Sequence, residues 1–183
     1  MAGDVRVVTK LIHNAFEVWE HEDLLLGPMY QSEAQTKEHL VRGGYVAKNP
    51  NGVIVGTFSL DEGTVKRTKD GQVSYLSGVD AGVVYAASGR YRVLPQGKLL
   101  VFKKAAVREG TANSGLGAKL YALADEHARQ TGFSGLVLET VKEAGWLFEW
   151  YRRLGFKTIG KIRRSTAMKN GREIDILLMI KVF

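Results

Sequence analysis

Apolar residues along this chain recur with two periods, and the switches between them divide it into elements. Val8, Leu11, Ile12, Ala15, Phe16 and Trp19 follow one another at three- and four-residue steps. That spacing lines one face of a helix and predicts a first amphipathic helix over 7–21. Asp4 stands where it would cap that helix, while residues 5–8 equally fit a short first strand. Gly27 and Pro28 close the segment behind a run of leucines. Ser32 followed by Gln35 is a capping box, and it predicts a second helix ending near Gly43 and Gly44. Residues 45–48 and 53–60 flank Asn49-Pro50-Asn51-Gly52, which reads as a β-hairpin. From 61 to 97 the pattern is weakest: 69–72 suggest a hairpin turn and 83–85 a strand.

The most organised stretch lies in the middle. Residues 99–102 are apolar, Ala105, Ala106 and Val107 extend them, and together they predict a buried strand. A loop of small and polar residues, 110–114, leads into Gly115-Leu116-Gly117. Behind it Leu116, Leu120, Leu123, Ala124 and Ala128 return to helical spacing. Thr131 and Gly132 end that helix, and 136–140 form a short buried strand. Trp146, Leu147, Trp150, Tyr151 and Leu154 give a further helix stopped by Gly155. Two last strands, 157–164 and 173–181, flank Asn170 and Gly171. Helices and strands are mixed, with one βαβ unit at the centre.

Composition narrows this picture. At 183 residues the chain fits one domain with a sizeable core. It contains no cysteine, which removes disulfides, thiolate metal sites and a cysteine nucleophile together and fits a cytoplasmic, reducing setting. No apolar run is long enough to span a membrane, and charges interrupt the N-terminal stretch, so neither a membrane span nor a signal peptide is expected. A net charge of +7 favours a polyanionic partner, either a nucleotide-bearing cofactor or nucleic acid.

Strand, glycine loop and helix start together make an anion site. The first turn of a helix leaves N–H groups unpaired, and its dipole adds roughly half a positive charge. Which phosphate it suits depends on the flanking residues. A P-loop needs lysine and a hydroxyl residue after its last glycine, but Leu116 and Gly117 occupy those positions after Gly115. A dinucleotide fingerprint needs a third glycine, and Ala118, Lys119 and Leu120 supply none; Glu139 imitates the ribose acid, but the chain has too few strands for the sheet. A third pattern remains. Gly115-Leu116-Gly117 matches the glycine half of the loop Arg/Gln-x-x-Gly-x-Gly/Ala, and Tyr151-Arg152-Arg153-Leu154-Gly155-Phe156 matches Tyr-x-x-Leu-Gly-Phe in full. In this order, with these elements between them, the motifs resemble the GNAT superfamily of acyl-CoA-dependent N-acyltransferases over most of the chain. The hairpin strand ending Val53-Ile54-Val55-Gly56 and the tail 175–181 resemble it too.

That resemblance implies an α/β (α+β) fold, with a mixed, mostly antiparallel central sheet whose central strands splay and are flanked by helices. It implies a single domain over 1–183, with a variable region, 61–97, that shapes the acceptor pocket. It also implies direct transfer of an acetyl group from acetyl-CoA to an amine of a small molecule, protein or peptide, with no metal. By the same resemblance Ala105, Ala106 and Val107 hold the pantetheine arm. Asn113, Ser114, Gly115, Leu116, Gly117 and Ala118 cradle the pyrophosphate. Tyr151, which also contacts the cofactor, is the general acid: a phenol stays protonated at neutral pH and can donate to a departing thiolate. Two positions depart from the family pattern. Ala112 replaces the usual arginine or glutamine and Ala144 a frequent asparagine. Loss of one charge-assisted contact at Ala112 weakens CoA binding by on the order of 1–3 kcal/mol, with Lys119 available to compensate.

For the general base, Glu139 near its strand end is the best placed, ahead of Asp61, Glu62, Glu143 and an ordered water. His127 reads as structural, and His13, His21 and His39 form no metal cluster. The basic residues near 66–69 and 163–164 read as solvated surface, with selection of an acidic acceptor or binding of RNA phosphates as the other readings. The alternative to an enzyme is a non-catalytic or weakly catalytic CoA-binding or nucleic-acid-binding module on the same fold, which Ala112 and Ala144 favour. A homodimer is the family habit, and the acceptor is not legible.

Overall fold

A computed structural model of the protein describes residues 2–19, 26–67, 73–77, 80–84, 98–111, 114–164 and 174–183. The chain divides into two compact units, the first formed by Met1–Leu60 and Phe102–Ala124 and the second by Asp61–Val101 and Asp125–Phe183.

In the first unit the apolar stripe at the start forms α1 (Ala2–Glu17). The helix covers residues 5–8, so the alternative of a first strand is excluded. It begins and ends earlier than 7–21: Asp4 lies inside the first turn, where it favours the helix dipole, and residues 18 and 19 tighten into a 3₁₀ turn. Val8, Leu11 and Ile12 pack with Ile54 and Ala106, bordered by Ala15, Phe16, Leu40 and Val46. Each such aliphatic side chain stabilises by about 1.5–3 kcal/mol when fully buried. Gly27 and Pro28 open a short 3₁₀ helix, Gly27–Tyr30; residues 20–25, including His21, lie outside the described residues. The capping box then forms as predicted. The Gln35 N–H donates to Ser32 Oγ (3.2 Å) and the Ser32 N–H to Gln35 Oε1 (2.8 Å), starting α2 (Glu33–Gly43).

The hairpin follows. β1 (Gly44–Lys48) pairs antiparallel with β2 (Ile54–Arg67), from Gly44↔Ser59 onward, with a bulge at Ala47 and Lys48. Asn49 holds its turn, its Oδ1 accepting from the N–H groups of Asn51 and Val53 at 3.0 and 2.9 Å. The later part of β5 (Leu99–Val107) lies in this unit, where the Arg108 N–H donates to the Val55 carbonyl at 2.8 Å. The first half of α3 (Leu116–Gln130) completes it. Phe102 meets Phe58 at 5.5 Å and the edge of Tyr121 at 6.1 Å between ring centroids.

In the second unit β2 runs on past Leu60, where its apolar pattern stops, and pairs antiparallel with β3 (Val73–Ser77), which pairs antiparallel with β4 (Asp80–Val84). Part of the weakly patterned region is therefore strand; the turn at 69–72 and Tyr85 lie outside the described residues. The start of β5 pairs in parallel with β6 (Gly135–Val141), from Leu99↔Gly135 to Val101↔Val137. α3 links these two strands, as the predicted βαβ unit requires. β6 pairs antiparallel with β8 (Ile174–Val182), and β8 with β7 (Lys157–Arg164); Asn170 and Gly171 lie outside the described residues. The fold class is α/β, with antiparallel strand pairs predominating. Leu99, Leu136, Leu138, Leu178 and Met179 are fully buried in this unit. Its periphery is tied by Asp125, whose carboxylate accepts from Lys181 Nζ (2.6 Å) and Arg129 Nε (2.8 Å), while the Arg129 guanidinium lies 4.0 Å from the Phe183 ring centroid.

Candidate functional site

Apart from Tyr151, the residues expected to hold a cofactor fall in the first unit. Pairing of β5 with β6 ends at Val101↔Val137, and Ala105, Ala106 and Val107 continue β5 beyond that point. Hydrogen bonds tie the described residues that follow. The Thr111 N–H donates to the Arg108 carbonyl (3.0 Å), and the Ser114 N–H and hydroxyl both donate to the Thr111 carbonyl (3.2 and 2.6 Å). Gly115 has φ +78°, the left-handed conformation that a side chain would strain. It turns the chain into α3, where its carbonyl accepts from the Lys119 N–H at 3.0 Å. The Leu116 N–H meets Ser114 Oγ at 3.4 Å, and those of Gly117 and Ala118, in the first turn, have no partner within the helix. A Cβ added at Gly117 would meet nothing within 4 Å, and the same holds at Gly115. Ala112 and Asn113 lie outside the described residues.

The residues expected to act on protons fall in the second unit. Tyr151 lies in α4 (Gly145–Arg153), which packs against β6. It is 7% exposed, its ring 5.1 Å from that of Trp150 and edge-on to Phe156 at 5.8 Å. Burial pushes its hydroxyl above the ordinary tyrosine value, so it stays protonated. Gly155 at φ +96° stops the helix, and the Phe156 N–H returns to the Tyr151 carbonyl at 3.1 Å. Glu139 is exposed on β6, opposite Leu178. Of the other carboxylates considered, Asp61 is half-buried and Glu62 and Glu143 are exposed. Ala144, buried just before α4, accepts at its carbonyl from the Leu147 and Phe148 N–H groups, both at 2.9 Å. His127 is half-buried in α3. Among the described residues, no group of three His, Asp or Glu converges to hold a metal, and no helix is long and apolar enough to cross a membrane.

One polar cluster escapes sequence reasoning altogether. Lys104, in the middle of β5, has φ +51° and is the one non-glycine at positive φ among the described residues. Its ammonium meets both Gln31 Oε1 and His39 Nε2. The Gln31 Nε2 donates to Thr36 Oγ1 (2.7 Å), which also meets Thr9 Oγ1 (2.7 Å) and donates to the Ser32 carbonyl (3.1 Å). The only hint in the sequence is the pair Lys103-Lys104 interrupting an apolar run.

Neither a scan against protein-family models nor a search of curated protein sequences finds a match. Solved structures do match along the whole chain. A GNAT superfamily phosphinothricin acetyltransferase from Sinorhizobium meliloti, in complex with AcCoA, aligns with TM-score 0.62 at 18% identity over 100% of this chain and 85% of that one. A GNAT family acetyltransferase from Streptococcus agalactiae aligns with TM-score 0.64 at 12% identity, over 100% and 92%. The ribosomal-protein-alanine N-acetyltransferase from Brucella melitensis aligns with TM-score 0.59 at 17% identity, over 100% and 96%. The chain has the GNAT fold. In a GNAT fold with this sequence, the glycine loop opens α3 and the Tyr-x-x-Leu-Gly-Phe motif closes α4, each at the element its spacing predicted.

Proposed function

We propose that the protein is an acetyl-CoA-dependent N-acetyltransferase that moves an acetyl group directly to an amine. The observation that carries this reading is the open glycine face at the start of α3. Gly117 lies in ordinary helix, and a methyl group placed on its Cα would have nothing within 4 Å, so neither backbone conformation nor packing asks for glycine there. Close approach of a phosphate to bare N–H groups does. Ser114, Gly115, Leu116, Gly117 and Ala118 then receive the pyrophosphate, with Ala112 and Asn113 beside them in the chain. Ala105, Ala106 and Val107 offer backbone hydrogen bonds to the pantetheine arm along β5, and an N–H of that strand stabilises the oxyanion. The neighbour from Sinorhizobium meliloti, of the same fold, carries AcCoA.

The reaction needs a neutral amine, and Glu139, exposed to solvent, is our candidate to take the proton of an acceptor ammonium. The amine nitrogen attacks the thioester carbon, the tetrahedral intermediate collapses, and the carbon–sulfur bond breaks. Tyr151, expected from the sequence as the general acid, is given a narrower part in this reading: it donates a hydrogen bond to the departing sulfur without giving up its proton. Its burial makes it a weaker acid than an ordinary phenol and hence far weaker than a thiol. The proton that finally neutralises the thiolate therefore comes from the acylated nitrogen, which must lose one. Products are an amide and free CoA thiol, and the protein is left unchanged.

The test is thermal stabilisation by acetyl-CoA, followed by thiol release with a panel of amines. Stabilisation together with amine-dependent thiol release is expected. Stabilisation by RNA but not by acetyl-CoA would sink this reading in favour of a nucleic-acid-binding module.

A further inference from the structure

The second unit holds a buried hydroxyl that the chemistry so far does not use. Thr140, one residue from the end of β6, is 7% exposed, and its Oγ1 has no hydrogen-bond partner. Valine would fill the same space and suit a strand as well, so packing does not ask for the hydroxyl. A buried polar group left unbonded is costly and calls for a reason.

The sheet register says what Thr140 faces. Side chains directly opposite one another on paired strands share a face. Leu136, Leu138 and Thr140 of β6 thus lie with Lys181, Met179 and Leu177 of β8. Lys181 identifies the helix on that face: a Cβ added at Gly155, just past the end of α4, would lie 3.7 Å from Lys181 Cε. The other end of α4 is fixed at the end of β6, where the Ala144 N–H donates to the Val141 carbonyl at 3.2 Å. From Gly145 to Gly155 a helix advances about 15 Å. From Val141 back to Leu136, the partner of Lys181, a strand covers about 16 Å. The lengths agree, so α4 runs back over β6 on the face that carries Thr140.

Tyr151 is the buried residue of this helix. It stands about 9 Å along the path, level with Leu138, and a helical side chain leans toward the N-terminus of its helix. That tilt carries the Tyr151 ring toward Thr140. The two hydroxyls are not hydrogen-bonded in this structure; catalytic hydrogen bonds commonly tighten only once the reacting groups are in place.

We infer that Thr140 is a positioning residue for Tyr151: its hydroxyl donates to Tyr151 Oη, which in turn donates to the departing sulfur. A phenol that accepts one hydrogen bond is polarised into a stronger donor of the next. With Thr140 donating, the hydrogen of Tyr151 is turned away from the strand and toward the sulfur. Neither hydroxyl gives up its proton. Acting from behind Tyr151, Thr140 needs no access of its own, in keeping with its burial. The inference rests on the acetyltransferase reading and on the part given there to Tyr151.

The experiment is a double-mutant cycle, with Thr140→Val and Thr140→Ser made in the parent and in Tyr151→Phe. It is read by amine-dependent thiol release and by melting with and without acetyl-CoA. Thr140→Val removes an unbonded buried hydroxyl at constant shape, so it should melt no lower than the parent. Its kcat should fall about ten-fold, the worth of one ordinary hydrogen bond, with the KM for acetyl-CoA and the melting shift unchanged. Thr140→Ser should recover most of the loss. In Tyr151→Phe there is no hydroxyl to receive the bond, and Thr140→Val should then change kcat by less than about two-fold. An unchanged kcat in Thr140→Val, no recovery in Thr140→Ser, or the same fold loss in both backgrounds overturns the inference, while turnover by the parent keeps the acetyltransferase. A parent that releases no thiol and is not stabilised by acetyl-CoA removes both.

Discussion

Gly115 and Gly117 stand two residues apart in the turn that opens α3, and the structure gives them opposite reasons to be glycine. Gly115 is held at φ +78°, where a Cβ costs about 1–2 kcal/mol. Gly117 is in ordinary helix with open space around it, so alanine there gains the usual helical preference of about 1 kcal/mol. In a chain of 183 residues that corresponds to a melting rise of about 2–4 °C for Gly117→Ala, and Gly115→Ala lowers melting by a similar amount or more. Ligand binding should run the other way at Gly117. Its methyl would hold a pyrophosphate away from the first-turn N–H groups, at a cost of about 1–3 kcal/mol, or roughly ten- to hundred-fold in Kd. Scanning fluorimetry of both variants without ligand, then titration with acetyl-CoA, reads both effects. A Gly117→Ala protein that is more stable and binds acetyl-CoA as well as the parent would refute the argument that a ligand keeps this position bare. A destabilised one would refute the open geometry itself.

Other consequences are as direct. Tyr151→Phe keeps the packing against Trp150 and Phe156 but removes one hydrogen-bond donor to the developing thiolate, and should lower kcat by on the order of a hundred-fold with little change in the KM for acetyl-CoA; an unchanged kcat removes Tyr151 from the chemistry. Because burial raises the Tyr151 ionisation, the folded chain holds a proton that the unfolded chain gives up near pH 10. Stability therefore falls above pH 10, by about 1.4 kcal/mol at pH 11, a loss that Tyr151→Phe should lack in denaturant titrations at pH 9 and 11. Ser32→Ala removes the cap of α2 and should cost about 1 kcal/mol by the same titration. Asp125→Asn takes a carboxylate from the ammonium of Lys181, whose side chain is 21% exposed. The cost should fall between that of surface and buried pairs, about 2 kcal/mol; no measurable loss would mean that the pair is fully screened.

Local signals are legible in the sequence and long-range ones are not. The capping box of α2, the glycine that ends α4 and the period change on either side of Gly115-Leu116-Gly117 are each contained within a few residues, and each element forms where its signal lies. The start of α1 is ambiguous because Val5, Val7 and Val8 suit a strand as well as a helix. Packing of Val8, Leu11 and Ile12 against Ile54 and Ala106 settles the matter, and those partners are remote in sequence. The continuation of β2 past Leu60 is hidden for a related reason. Its pairs with β3 supply backbone hydrogen bonds whatever the side chains are. The cluster around Lys104 is invisible because Thr9, Gln31, Thr36 and His39 are ordinary residues in ordinary helical or turn contexts. Only the fold brings them to the middle of β5.

The hydrogen bonds leaving Lys104 also have a sense of direction. The ammonium donates to Gln31 Oε1, the Gln31 Nε2 donates to Thr36 Oγ1, and the Thr36 hydroxyl donates to the Ser32 carbonyl. That last group can only accept, so the whole relay is one-way and cannot be reversed by flipping the amide. Position 104 is thereby restricted to donors. An acceptor such as glutamate there would turn the Gln31 amide and set its oxygen against a hydroxyl whose proton is already committed to Ser32. The substitution would thus be felt at the first turn of α2, on the far side of the relay from where it was made.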